Sequence, residues 1–382
     1  MDVIDRANGL LQGYAELARA ELPADTPVFD AHTHLGEDID GMVGDRGELL
    51  TIQRAYGVTR SFVFCFDEPD RRPAFTTAND RTLAHAAAVP GEILPFVRLD
   101  LDDRPVEEAT RCLDLGARGI KLHPRAQRFL PDDPRLEPVF ALAAERRVPI
   151  LIHAGRGLPP IAADLHRLVD RHPEAQLILA HAGIADLANL AHRFAGKAGV
   201  FFDTSVWSAV DLLGFLRLVP PEQVVYASDY PYGQQPGSLL LSLRTARVAG
   251  FDDRQLRDML AGNANRIADG EPPLEPSQPR GLERLEQPLA HARIHQYLSM
   301  AMPLLFTRQP DAFGALGLAL NACEEPNGAH EGLDEIREIL VAARDLWRTL
   351  PEAEDETEVR VVARTTVRLL QMADTLAVTS GA

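Results

Sequence analysis

Five of the chain's twelve histidines fall at or near the end of a short apolar run. Phe29-Asp30-Ala31-His32-Thr33-His34 carries two of them one residue apart. Side chains alternate along a strand, so His32 and His34 share a face, and two imidazoles one pleat apart can converge on a single ion. Neutral imidazole suits zinc. Leu151-Ile152-His153-Ala154-Gly155 and Leu179-Ala180-His181-Ala182-Gly183 are near-copies about one βα unit apart, and the Ala-Gly after each histidine lets the chain turn without crowding a ligand. His123 ends a further run, and Ala227-Ser228-Asp229-Tyr230-Pro231 ends another on a carboxylate. A carboxylate in that place is costly unless it is paired or binds a metal. Singly, each of these residues fits a core, capping or loop role as well as a ligand role. As a set at the ends of several strands they point to a metal centre. A zinc ion there would bring the pKa of a water down to about 7 and polarise a substrate carbonyl, which is metal-assisted hydrolysis.

The elements that must position these groups are eight apolar runs, at 28–34, 61–66, 93–99, 119–123, 149–153, 177–181, 200–204 and 224–229. Segments of helical periodicity, such as 136–146, 162–172 and 184–195, lie between them. Continuous apolar strands alternating with helices imply a parallel sheet covered on its faces. Eight such units over roughly 250 residues match an α/β (β/α)8 barrel, which keeps its chemistry at the C-terminal ends of its strands. A doubly wound open sheet is the structural alternative. Ahead of the barrel, Val3, Ala7, Leu10, Leu11, Tyr14, Leu17 and Ala18 predict an amphipathic helix within 1–25. The barrel is expected over 26–268. Asp269-Gly270-Glu271-Pro272-Pro273, with Pro276 and Pro279, reads as a stiff linker over 269–282. A C-terminal α-helical region follows over 283–382, with helices expected near 283–307, 311–323, 333–350 and 356–378. In the third, Ile336, Ile339, Leu340, Ala343, Leu346, Trp347 and Leu350 form one apolar stripe. The acidic run Glu352, Glu354, Asp355, Glu356 and Glu358 reads as the solvated first turn of the fourth.

Asp30-x-His32-x-His34, Lys121-Leu122-His123-Pro124, His-Ala-Gly at 153–155 and 181–183, and Ser228-Asp229-Tyr230-Pro231 together resemble the amidohydrolase-related family of metal-dependent hydrolases in the amidohydrolase superfamily. The resemblance covers roughly 26–268, and Gly262-Asn263-Ala264-Asn265-Arg266 is similar to that family's closing segment. Residues 283–382 have no counterpart in it. The resemblance implies a TIM-type barrel in which His32, His34 and Asp229 bind a divalent metal, usually zinc. It adds His153 as a further ligand in single-metal members, and puts His181 against the activated water or the substrate. In two-metal members a carboxylated fourth-strand lysine, here Lys121, bridges the ions, and both later histidines bind the second one.

With that set, Asp229 is the natural proton acceptor, and His181 orients the water or stabilises the oxyanion. The expected reaction is cleavage of a C–N or C–O bond, in an amide, lactone or ester, of a small anionic substrate. The same constellation serves non-hydrolytic decarboxylases and hydratases of the family. A non-catalytic scaffold, with a structural metal and a partner-binding tail, is a third reading, but structural zinc sites are closed and commonly built on cysteine. Lys121 has three open roles: a carboxylated bridge, a cation for a substrate carboxylate, or an ion pair with Asp30. His123 is either a substrate contact or a loop histidine. Arg98, Arg125 and Arg156, near the ends of strands three to five, fit a carboxylated substrate or pairing with barrel carboxylates such as Asp100. Trp207, Tyr230 and Tyr232 fit aromatic walls of the site or loop packing.

The formal net charge of −17 argues against a nucleic-acid partner, which calls for clustered Lys and Arg. Three scattered cysteines, Cys65, Cys112 and Cys323, make no disulfide framework and fit a reducing compartment. Asp2, Asp5 and Glu16 sit where a signal peptide would need a basic start and an apolar run, and no apolar stretch is long enough to span a bilayer. A soluble, cytoplasmic enzyme of a small molecule is expected, with the tail available for a homo-oligomer interface.

Overall fold

The computed structural model describes residues 2–233, 235–281, 287–306, 309, 312–324, 332–350 and 355–380. Each of the eight expected runs contains a strand: β1 (Val28–Glu37), β3 (Val58–Cys65), β4 (Ile93–Arg98), β5 (Gly119–Leu122), β6 (Ile150–Ile152), β7 (Leu177–Leu179), β8 (Val200–Asp203) and β9 (Val224–Val225). A two-residue strand, β2 (Val43–Gly44), pairs antiparallel with the end of β1. The other eight run parallel in chain order, and the segment after β9 returns to β1. Ala31 N donates to Tyr226 O at 2.9 Å, Asp229 N to His32 O at 2.9 Å, and His34 N to Tyr230 O at 2.8 Å. Those bonds close the sheet into a barrel and exclude an open one.

The interior is filled by side chains from alternate strand positions, among them Phe29, Phe62, Phe96, Leu151, Ile178 and Phe201. Gly119 is required at this level, because a Cβ there would stand 2.6 Å from the Phe96 ring. Below it, Ala261, Ala264 and Ile267 plug the floor of the barrel. Asn263 fastens that plug by donating to Pro221 O at 3.1 Å and to Val224 O at 2.8 Å, so the Gly-Asn-Ala-Asn-Arg segment earns its place structurally.

Several strands stop short of the expected ends, and beyond two of them the chain turns sharply. His181, Ala182 and Asp229 have left-handed φ values of 56°, 54° and 60°. Left-handed backbone is uncommon for residues with a Cβ and clusters at functional sites. β1 also loses register with β3 between Asp30 and Thr33. Beyond that break, His32 and His34 take the inward positions that Phe29 and Ala31 hold before it, as a bulge beside a site allows.

The N-terminal helix spans Val3–Glu21, and the C-terminal ones are Leu289–Phe306, Ala312–Cys323, Leu333–Trp347 and Glu356–Thr379. Expected helical residues 283–286, 307 and 311 lie outside the described residues, as do Glu352 and Glu354 of the acidic run. Asp355 caps the last helix, accepting from Thr357 N at 2.7 Å and Glu358 N at 2.9 Å. The proline-rich segment is tied to the barrel: Arg217 Nε donates to Gly281 O at 2.8 Å, and Ser277 Oγ to Glu222 at 2.8 Å. Ala7, Tyr14 and Ala18 of the first helix, Leu239 and Leu243 of the barrel helix Gly237–Val248, and Ile336, Leu340, Leu369 and Leu376 of the tail belong to one apolar cluster. Among the described residues no helix is long and apolar enough to cross a membrane.

Candidate metal centre

Strand ends bring His32, His34, His123, His153, His181, Lys121 and Asp229 to the C-terminal mouth of the barrel. Asp229 Oδ1 stands 3.3 Å from His32 Nε2 and 3.3 Å from His34 Nε2, and all three groups are buried. Ligand atoms bound tetrahedrally at 2.0–2.1 Å stand roughly 3.3 Å from one another. The spacing therefore fits a divalent ion held by this group. Burial pushes both imidazoles well below their ordinary pKa, with Lys121 and His181 adding to the effect at both and His32 at His34, so both present neutral nitrogen lone pairs. Burial drives the Asp229 carboxyl up, against the lowering influence of Lys121; a cation in the site is what keeps such a group ionised.

His153 and His181 meet on the other side, Nδ1 to Nε2 at 3.0 Å. His153 Nε2 is buried without a hydrogen-bond partner. The expected role of the Ala-Gly turn is visible at Gly155, where a Cβ would stand 2.8 Å from the His153 ring. His181 Nδ1 faces Ser205 Oγ and Ser205 O, each at 3.0 Å, and lies 4.0 Å from Asp229 Oδ2. His123 stacks on His153 at 3.9 Å, and its Nδ1 accepts from Ala126 N at 3.2 Å, capping the short helix Pro124–Gln127.

Sequence reasoning missed Asp203. This fully buried carboxylate closes β8 and organises the centre: Oδ2 holds His32 Nδ1 at 2.7 Å, and Oδ1 accepts from His181 N at 2.8 Å and from Ser205 Oγ at 2.5 Å. Anchoring Nδ1 leaves Nε2 facing Asp229. The signal was present, since Val200-Phe201-Phe202-Asp203 ends an apolar run on a carboxylate just as the eighth strand does. Asp203→Asn is expected to weaken metal binding about 10- to 100-fold, the effect of losing the carboxylate behind a histidine ligand. A competition titration with a chromophoric chelator measures it.

Lys121 is fully buried, with Nζ 3.3 Å from His32 Nε2 and 4.3 Å above the Phe64 ring. Burial pulls its pKa down to about 7, opposed by the charges of Asp229 and Asp203. Of its three open roles, the pairing with Asp30 does not form: Asp30 Oδ1 instead accepts from Ser228 N at 2.9 Å and His32 N at 3.3 Å, bracing the first and last strands. The three arginines separate. Arg98, the register neighbour of Lys121, is buried, donates to Cys65 O at 3.3 Å and keeps its Nε without a partner. Arg125 is exposed, and Arg156 is exposed and paired with Asp211 on the rim. Tyr232 is edge-on to His34 with ring centres 5.8 Å apart, while Tyr230 is held outward by Glu48 at 2.9 Å.

The amidohydrolase family model matches residues 29–267, which contain all of these groups. Among solved structures, IDCase from Metarhizium anisopliae in its apo form is similar at 15% identity and a TM-score of 0.51, covering 65% of this chain and 98% of its own. The 2,6-dihydroxybenzoate decarboxylase from Rhizobium is similar at 17% identity and a TM-score of 0.50, covering 64% and 98%. At those identities the likeness speaks for the fold. Among curated proteins none matches the chain. The family match, over a barrel whose strand ends gather the same histidines and aspartate, makes the chain a member of the amidohydrolase family.

Proposed function

We propose that the chain is a metal-dependent hydrolase holding one zinc ion with His32, His34, Asp229 and His153, and that it cleaves a C–N or C–O bond in a small carboxylated substrate. The observation that carries this reading is the convergence of two neutral imidazoles on one carboxylate oxygen at 3.3 Å, at a barrel mouth. When bound, the ion would polarise the substrate carbonyl and acidify a water. Asp229 would take the proton from that water and return it to the leaving group, its Oδ2 facing His181. His181, fixed by Ser205, would orient the water or donate to the developing oxyanion. Arg98 and Lys121 are two buried cations without a carboxylate within 4.0 Å among the described residues, and a substrate carboxylate would supply the missing charge. A carboxylated Lys121 bridging a second ion is the alternative to that cationic role, because carboxylation would turn the side chain into an anion.

Lys121 favours a second reading, in which the reaction is decarboxylation or hydration. Its Nζ lies 3.3 Å from a metal-facing nitrogen, so a carboxylate anchored there would itself stand at the centre. A panel of carboxylated amides, esters and lactones, with aromatic carboxylates alongside, separates the readings by product. Hydrolysis should release amine or alcohol, should fail on the uncharged isosteres and should vanish with a chelator. Release of carbon dioxide instead would overturn the hydrolase in favour of the lyase.

A further inference from the structure

A cavity of about 180 Å³ lies between the barrel mouth and the last helix, walled by Trp207 and Tyr232 from the barrel loops and by Leu305, Trp347, Arg364 and Arg368 from the tail. Its lining is mainly apolar, yet two arginines one helical turn apart face it. Neither guanidinium lies within 4.0 Å of a carboxylate among the described residues. The polar contact of Arg364 is to Met42 Sδ at 3.9 Å, and Arg368 Nε is buried without any partner. Burial and the charge of Arg364 push the Arg368 guanidinium below its ordinary range, against weaker raising influences of Tyr56 and Glu48. Both side chains are half-buried, like charges at this helical spacing repel, and neither guanidinium has an ion-pair partner among the described residues, so the pair lacks an anion. Tyr232 gives the chamber its position, because the ring that lines it is the one standing edge-on to His34.

We infer that this chamber is the distal subsite of the active site, taking a benzene-sized apolar group whose anionic substituent is held by Arg364 and Arg368. A cavity of about 150 Å³ suffices for a benzene ring, which sets the size class. The inference rests on reading the barrel mouth as the enzyme's site, and it assigns substrate selection to a segment outside the matched residues 29–267. The barrel would supply the reaction, and the tail helix the recognition of the far end of the substrate.

Both of the chain's tryptophans, Trp207 and Trp347, line the chamber, so intrinsic fluorescence reports on it directly. Benzoate is the probe and benzamide its uncharged isostere. The full-length protein should show a saturable change in tryptophan emission with benzoate, and bind benzamide at least about 10-fold more weakly, the loss expected when a charged hydrogen-bond partner is removed. The double variant Arg364→Gln/Arg368→Gln should bind benzoate no better than benzamide. Chelator-treated protein should give the unchanged benzoate titration, so a failed metal assignment and a failed chamber assignment are told apart. Separately, Arg368→Met should raise the melting temperature of the ligand-free protein and abolish the further rise that benzoate causes. No saturable response to benzoate, an unchanged affinity in the double variant, or a lowered melting temperature for Arg368→Met would each overturn the inference.

Discussion

The wild-type protein is expected to carry about one zinc or similar ion per chain after gentle purification, and a His32→Ala/His34→Ala double variant almost none. The two imidazoles are buried and kept neutral, and they face one carboxylate oxygen at 3.3 Å. Removing both leaves Asp229 and His153, a donor set too sparse to compete for a hydrated divalent ion. Elemental analysis of the purified variant beside the wild type measures the effect, and circular dichroism checks that the barrel persists. Unchanged stoichiometric metal in a folded double variant would place the ion elsewhere. Activity should fall with the metal and should not return on adding zinc.

Asp229→Asn should lower turnover by about 100-fold or more while leaving the fold intact, the range expected when a general base is lost. The amide preserves the shape of the side chain and its place at a left-handed turn, a conformation that asparagine tolerates. It cannot accept the proton, and it removes the anionic member of the ligand group. Steady-state kinetics on a substrate found through the panel above would test this. An active Asp229→Asn enzyme with the wild-type pH profile would remove Asp229 from proton transfer, because a replacement base would titrate differently.

The barrel was legible because its strands are continuous apolar runs and its clustered histidines and Asp229 lie at their ends. His32, His34 and Asp229 stand within reach of one ion for that reason, and His153 meets His181 beside them. Strand lengths were less legible: β7 gives way to a left-handed turn at His181, and β9 is only two residues long although the chain after it keeps bonding to β1 as far as Tyr230. Of the three roles left open for Lys121, the ion pair with Asp30 does not form, because two backbone amides satisfy Asp30 first, a local arrangement that spacing does not encode. Asp203 was hidden in plain view as the last residue of a strand, its partner His32 lying on the far side of the barrel sequence. Arg364 and Arg368 carry no signal at all in one dimension. On a helix they read as solvated charge, and only the packing of that helix over Trp207 and Tyr232 gives them an apolar chamber to face.

The apolar cluster that runs from Ala7 through Leu239 and Leu243 to Ile336 and Leu376 has a thermodynamic consequence. Two units joined by a proline-rich linker would melt separately, each with its own enthalpy. Here, detaching the tail would strip Tyr14 of its bond to Glu335, 2.7 Å away, and open the faces of two barrel-side helices to water. That penalty couples the parts. A single calorimetric peak is expected, with calorimetric and van't Hoff enthalpies in agreement, so that barrel and tail unfold as one cooperative unit across the proline break.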